Sequence, residues 1–197
     1  MSPPLALILH GLGHDPATAV ATFAPALPPA MPLLAPAGAL PFGENGGRAW
    51  FGVTFIDGGP VADAAQEAAS RADLIALAEA LDRPALLLGF GQGGVIALTA
   101  FLARPDLFAG CAVAGGRLLL EALPGLPPMP AHRGKPVFWA HGRSDPAIAF
   151  AAAQAGRAAL AAYDVSLAIV DHDGGHDLPR TAADGLRDWL DQLVQTP

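Results

Sequence analysis

Four short stretches of this chain concentrate the residue types that acyl chemistry needs. They are HGLGH (10–14), GFGQGG (89–94), HGRSDP (141–146) and DHDGGHDLP (171–179). In the second, the spacing G-x-G-x-G sets Gly89 and Gly93 on either side of Gly91. A nucleophile carried on a sharp strand-to-helix elbow needs glycines in those flanking places, because the backbone there is strained and closely packed. Asp145 follows downstream, and His176 follows Asp145. In such a constellation the histidine takes a proton and the acid orients its imidazole. The elbow position itself, Gly91, offers no attacking atom.

The same residues admit other chemistry. Gly89, Gly91 and Gly94 also match G-x-G-x-x-G, the turn that cradles a dinucleotide pyrophosphate. That motif wants an acidic residue about twenty positions on, at the end of the next strand, to hold the ribose. The next apolar run, FAGCAVAGG, ends without one. Asp171, His172, Asp173 and His176 crowd together, but their spacing fits no common zinc motif, so no metal and no cofactor is expected. Cys111 lies inside an apolar run and reads as a small, inert core residue. Ser144 stands beside the acid, on the wrong strand tip for the elbow.

Positioning these residues requires strands that end where the motifs begin. Apolar runs predict strands over 5–10, 31–35, 84–90, 108–114, 136–141 and 165–171. Helical spacing predicts helices over 16–23, 61–81, 92–103, 147–162 and 179–194. Thr181 and Asp184 have capping-box spacing at the start of the last of these. The strands are continuous hydrophobic runs, which implies burial on both faces. Their alternation with helices implies an α/β fold: a mostly parallel central sheet with helices on both faces. Sites in such sheets form beyond the carboxyl ends of the strands, where all four motifs fall. Two Gly/Pro-rich segments, about 35–60 and 115–136, interrupt the pattern and read as cover loops over one domain spanning 1–197.

Composition narrows the function classes. Hydrophobic residues make up 52% of the 197, enough for one sizeable core. The formal net charge is −7 and Lys135 is the single lysine, so no basic stripe exists for a nucleic-acid partner. The lone cysteine cannot form an internal disulfide, which suits a reducing compartment. The N-terminal apolar run lacks a basic flank and is too short to span a bilayer. A cytoplasmic protein with no membrane span is the expectation.

The stretches LHGLGH (9–14), GGRAWF (46–51), GFGQGG, HGRSDP and GGHDLP (174–179) resemble, in order, successive motifs of the phospholipase/carboxylesterase family of α/β-hydrolases. Members of that family read L-H-G-x-G-D, W-F-D, G-F-S-Q-G-G, H-G-x-x-D-x-x-V-P and G-H. The resemblance covers most of the chain and implies the α/β-hydrolase fold. It implies His176 as general base, Asp145 as its orienting acid, and the backbone N–H groups of Leu12 and Gln92 as oxyanion donors. Trp50 and Phe51 would then line the substrate pocket, and Leu118 and Met129 suggest an apolar wall. A small-molecule ester with an apolar acyl group is the implied substrate.

Three positions depart from the family pattern. Gly91 stands where the family has its nucleophilic serine, Gly52 replaces the Asp of W-F-D, and His14 replaces the Asp after the oxyanion loop. Three readings follow. The chain is a serine esterase carrying a single change, or a non-catalytic small-ligand binder on a hydrolase scaffold, or a weak esterase in which His176 activates water.

Overall fold

A computed structural model describes residues 4–44, 46–56 and 59–195. Positions 45, 57 and 58 of the first expected cover loop, and both chain ends, lie outside the described residues. The elements in chain order are β1 (Ala6–Leu9), α1 (Pro16–Phe23), β2 (Leu33–Leu34), β3 (Leu40–Phe42), β4 (Gly47–Ala49), β5 (Val53–Ile56) and β6 (Gly59–Ala62). There follow α2 (Ala64–Glu79), β7 (Ala85–Phe90), α3 (Gln92–Ala103), β8 (Phe108–Ala114), β9 (Pro136–Gly142), α4 (Phe150–Leu160), β10 (Ser166–His172) and α5 (Arg180–Gln195).

Six strands form a sheet in the order β10-β9-β8-β7-β1-β2, and every neighbouring pair runs parallel. Burial on both faces explains the unbroken apolar runs. Along β7 every residue is buried, with Leu87 turned to one face and Leu86, Leu88 and Phe90 to the other. The Leu87 face packs under α2, α3 and α4; the opposite face packs under α1 and α5. Each fully buried leucine contributes about 1.5–3 kcal/mol of transfer free energy. No helix of the described residues is long and apolar enough to cross a membrane.

The helix starts are set by local caps. Asp15 Oδ1 accepts the Thr18 N–H at 2.7 Å, with Pro16 opening α1. Asp63 Oδ1 accepts the Ala65 and Gln66 N–H groups at 3.1 and 3.0 Å, so α2 begins at Ala64 and not at 61 as the spacing predicted. Residues 61 and 62 belong to β6. Helix α4 begins at Phe150, three residues later than expected, because the Asp145 carboxylate holds the N–H groups of residues 147 and 148 in a separate turn. Thr181 lies inside α5, where the Arg180–Asp184 pair at 2.8 Å replaces the expected capping box.

The two cover segments carry structure of their own. The first contains two antiparallel hairpins, β3–β4 and β5–β6. The second contains short 3-10 turns at Leu120–Gly125 and Pro130–His132.

The β7–α3 junction requires its glycines through close backbone approach. A Cβ on Gly93 would lie 2.4 Å from Leu9 O and 2.6 Å from His10 O, and one on Gly89 would lie 2.4 Å from Gly93 O. Backbone atoms cannot yield as a flexible side chain can. Gly93→Ala is therefore expected to destabilise the fold by about 3 kcal/mol, the upper end for overpacking. That corresponds to a fall of roughly 6–12 °C in the thermal midpoint for a chain of this size. A midpoint within 1 °C or so of the parent would remove the close-approach account.

Candidate active site

Successive strand tips along the sheet are tied to one another. The Gly91 N–H beyond β7 donates to Ala114 O of β8 at 2.9 Å, and the Gly115 N–H donates to Ala140 O of β9 at 3.0 Å. The Arg143 N–H donates to His172 O of β10 at 2.7 Å. These bonds keep the tips in register, so residues far apart in sequence meet over one edge.

Gly91 has φ 53° and ψ −117°, a conformation that glycine adopts at little cost and other residues only under strain. A Cβ built there would lie 3.1 Å from His176 Nε2 and 3.7 Å from Gly11 Cα. On the other side of the ring, His176 Nδ1 lies 2.8 Å from Asp145 Oδ2. Asp145 Oδ1 accepts the Ala147 and Ile148 N–H groups at 2.8 and 2.9 Å. Burial raises the Asp145 pKa, but the bonds from Ile148, His176 and Ala147 outweigh burial and hold the carboxyl below its ordinary value. An ionised Asp145 keeps the proton on His176 Nδ1 and leaves the lone pair on Nε2.

Gly91, Asp145 and His176 are thus brought together, with Gly11 beside them. The Leu12 and Gln92 N–H groups have no hydrogen-bond partner within the described residues. Leu12 itself is exposed, and Gln92 opens α3.

Of the expected pocket residues, Trp50 and Phe51 lie buried beside the elbow, Leu118 is buried, and Met129 lies away from it. Trp50 and Phe51 are buried at 5% and 3% exposure and belong to the core. The Trp50 indole stacks on His10 with centroids 5.0 Å apart, and its Nε1–H donates to His10 O at 2.9 Å. The Gln92 side chain clamps the same segment, accepting the Trp50 N–H at 2.8 Å and donating to Phe51 O at 2.7 Å. Leu118 is buried beside α4, where a Cβ on Gly156 would come within 3.0 Å of Leu118 Cβ. Met129 lies at the far end of α3: its N–H donates to His132 Nδ1, and His132 Nε2 bonds Leu102 O. Ten residues of helix separate Leu102 from Gln92, about 15 Å. Exposed apolar side chains on or near the loop after β1 are Leu12, next to Gly11, and Phe42, 3.1 Å from where a Gly13 Cβ would be.

Three contributors escaped the sequence reading. Gly115, at φ 58°, lies under the His–Asp pair: a Cβ there would be 3.1 Å from His176 Nδ1 and 3.6 Å from Asp145 Oδ2. The Gly115–Gly116 doublet at a strand end was its only sequence signal. Phe90 sets its ring 4.8 Å from that of His176. His141, fully buried, bonds Ile148 O at 2.9 Å and approaches Asp145 Oδ2 at 3.4 Å. Burial holds the His141 pKa below its ordinary value, so the ring is neutral at pH 7.

The acid-rich stretch at the end of β10 disperses. Asp171 pairs with Arg157 at 2.8 Å, Asp173 faces Arg143 at 3.7 Å, and His172 Nδ1 accepts the Gly174 N–H at 3.2 Å. Among the described residues no group of three or more His, Cys, Asp or Glu could hold a metal ion.

Comparison with known proteins adds an independent line. The Phospholipase/Carboxylesterase family profile matches residues 3–192. A rice protein (Oryza sativa subsp. japonica) named as a probable carboxylesterase is 31% identical over 103 residues, 52% of this chain and 39% of that protein. An Arabidopsis thaliana protein named as a probable carboxylesterase, SOBER1-like, is 28% identical over 111 residues, 56% of this chain and 42% of that protein. The matched stretches thus span less than half the length of these relatives. Among solved structures, Arabidopsis thaliana SOBER1 superposes with a TM-score of 0.80 at 23% identity, covering 98% of this chain and 100% of that one. Zea mays acyl-protein thioesterase 2 superposes at 0.81 and 19% identity, covering 98% and 95%. At these identities the superpositions speak for the fold.

Proposed function

The chain belongs to the phospholipase/carboxylesterase family of α/β-hydrolases, and from that premise we propose that it is a weak carboxylic ester hydrolase whose nucleophile position is occupied by Gly91. The observation that carries this reading is the geometry around His176. Its Nε2 lies 3.1 Å from the point where a side chain would leave Gly91, and its Nδ1 lies 2.8 Å from Asp145 Oδ2. In this reading His176 is the base, Asp145 orients it, and the Leu12 and Gln92 N–H groups stabilise the oxyanion. A water molecule at the elbow, deprotonated by His176, attacks the acyl carbon. The exposed Leu12 and Phe42 favour small esters with apolar acyl groups. Residues 1–197 act as one domain, and the lone buried Cys111 suits a cytoplasmic setting.

General-base catalysis contributes about 10²–10⁴-fold. His176→Ala is therefore expected to lower the slow hydrolysis of a short-chain aryl ester by that factor. Equal rates for the parent and the variant would strip His176 of its role. The glycine at the elbow also favours a second reading, a ligand-binding protein without turnover. Calorimetric binding of an ester that is recovered intact after prolonged incubation would select it.

A further inference from the structure

We propose that the chain as it stands turns over activated acyl groups through His176 itself, whose Nε2 attacks the acyl carbon of a thioester or aryl ester and becomes transiently acylated. This rests on the reading of the site as an esterase site and adds, for activated acyl groups alone, a direct route beside the water attack.

Three features of the ring make it a nucleophile. Its Nδ1 is committed to Asp145 Oδ2, so the lone pair is on Nε2, and no described residue hydrogen-bonds Nε2. Glycines at positive φ flank the ring, Gly91 at 53° and Gly115 at 58°, and Phe90 braces a third side at 4.8 Å. The imidazole is therefore held firmly while its reactive atom stays open. A Cβ on Gly91 would stand 3.1 Å from Nε2, so the glycine leaves no side chain in front of that atom. A serine side chain would stand there and keep an acyl carbon away from Nε2; glycine leaves the approach to Nε2 clear, with the carbon at non-bonded distance from the main chain. Histidine is among the side chains that form covalent intermediates in enzymes. Other nucleophiles do not compete. Ser144 is exposed in the loop after β9, with its N–H on Gly174 O, and burial pushes the Cys111 thiol far above its ordinary pKa.

In the first step the Nε2 lone pair forms the C–N bond and the carbonyl π pair moves onto oxygen, facing the Leu12 and Gln92 N–H groups. The carbonyl then re-forms and the C–S or C–O bond breaks, releasing thiolate or phenolate. The product is an Nε2-acylimidazolium whose Nδ1–H remains on Asp145. Water next adds to the acyl carbon and the C–N bond breaks, returning neutral imidazole and the carboxylic acid. The water proton protonates the departed thiolate or phenolate. The sum is acyl donor plus water giving acid plus thiol or phenol.

This route selects its substrates by leaving group. Thiols and phenols ionise near 8.5 and 10, whereas a hydroxyl like that of water ionises near 15.7. Imidazole can displace the first two. From an alkyl ester, the tetrahedral adduct expels imidazole and reverts. Thioesters and aryl esters are thus the substrate class, favoured over the alkyl ester of the same acid by at least about 10²-fold.

The test mixes the unaltered chain with an N-acetylcysteamine thioester or a 4-nitrophenyl ester, quenches in acid during turnover, and maps acylated peptides by mass spectrometry. The expected result is an acyl mass on the peptide containing His176, a burst of thiol or phenol ahead of free acid, and a solvent isotope effect on the burst near unity. An unacylated His176 with an isotope effect well above unity overturns the proposal in favour of water attack. Absence of turnover by the unaltered chain overturns it as well. Gly91→Ser, assayed in parallel, separates the two levels: an active variant beside an unacylated parent sinks only the histidine route. Inactivity of both sinks the esterase reading along with it.

Discussion

Gly91→Ser is expected to raise hydrolysis of a short-chain aryl ester by at least about 10³-fold, since loss of the serine from a working triad costs on the order of 10⁶-fold in kcat and residual catalysis recovers part of that. The Cβ of the new side chain would lie 3.1 Å from His176 Nε2. That approach is tight, so the imidazole gives way by a few tenths of an ångström, which brings Oγ within reach of Nε2. Such contact is what a base needs to take the hydroxyl proton. The gain has a structural cost. At φ 53° and ψ −117° a serine is strained by about 1–3 kcal/mol, so the active variant melts several degrees below its parent. Rate and melting temperature therefore move in opposite directions. A variant neither faster nor less stable would contradict the placement of this elbow.

Asp145→Asn carries the second large effect. In the Gly91→Ser background it is expected to lower kcat by about 10⁴-fold with little change in KM, as when a triad acid becomes an amide and the wrong imidazole tautomer is favoured. An unchanged kcat would remove Asp145 from the mechanism. The same substitution reports on stability. The Asp145 carboxyl titrates below its ordinary value in the folded chain, because the Ile148, His176 and Ala147 bonds outweigh burial. A depressed folded pKa means stabilisation that is fully present above about 3.9, the unfolded value, and is lost as pH falls through the lower folded value. The thermal midpoints of the parent and of Asp145→Asn are therefore expected to converge as pH drops below about 4, and to stand furthest apart at neutral pH.

Much of the scaffold was legible because single physical signals dominated it. The predicted bounds of α1, α3 and β8 match the structure, since each is a short apolar run closed by a proline or glycine, or opened by a side-chain cap. The convergence of Gly91, Asp145 and His176 was legible from motif order and from the rule that sites form at strand tips. The hairpins within 40–62 were not. Their strands are three or four residues long, rich in Gly and Pro, and paired only with each other, so no periodicity could accumulate. Trp50 and Phe51 were ambiguous for a different reason: large apolar residues in a loop beside a site suit a pocket wall and a core plug equally well. The structure shows the indole N–H bonded to His10 O, a partner that no sequence pattern announced. Gly115 was invisible because its role is steric and lies in the side chain it lacks.

Gln92 grips the main chain of Trp50 and Phe51 between the two hairpins, and the indole fastens that grip to the end of β1. The two hairpins have further ties of their own: the Gly13 N–H donates to Arg48 O and the Arg48 N–H to His14 O, both at 2.9 Å, and the Gly52 N–H donates to Gln66 Oε1 at 2.6 Å. The main chain over residues 48–52 is thus fixed at several points, and that fastening holds the end of β1 and the start of α3 to one another.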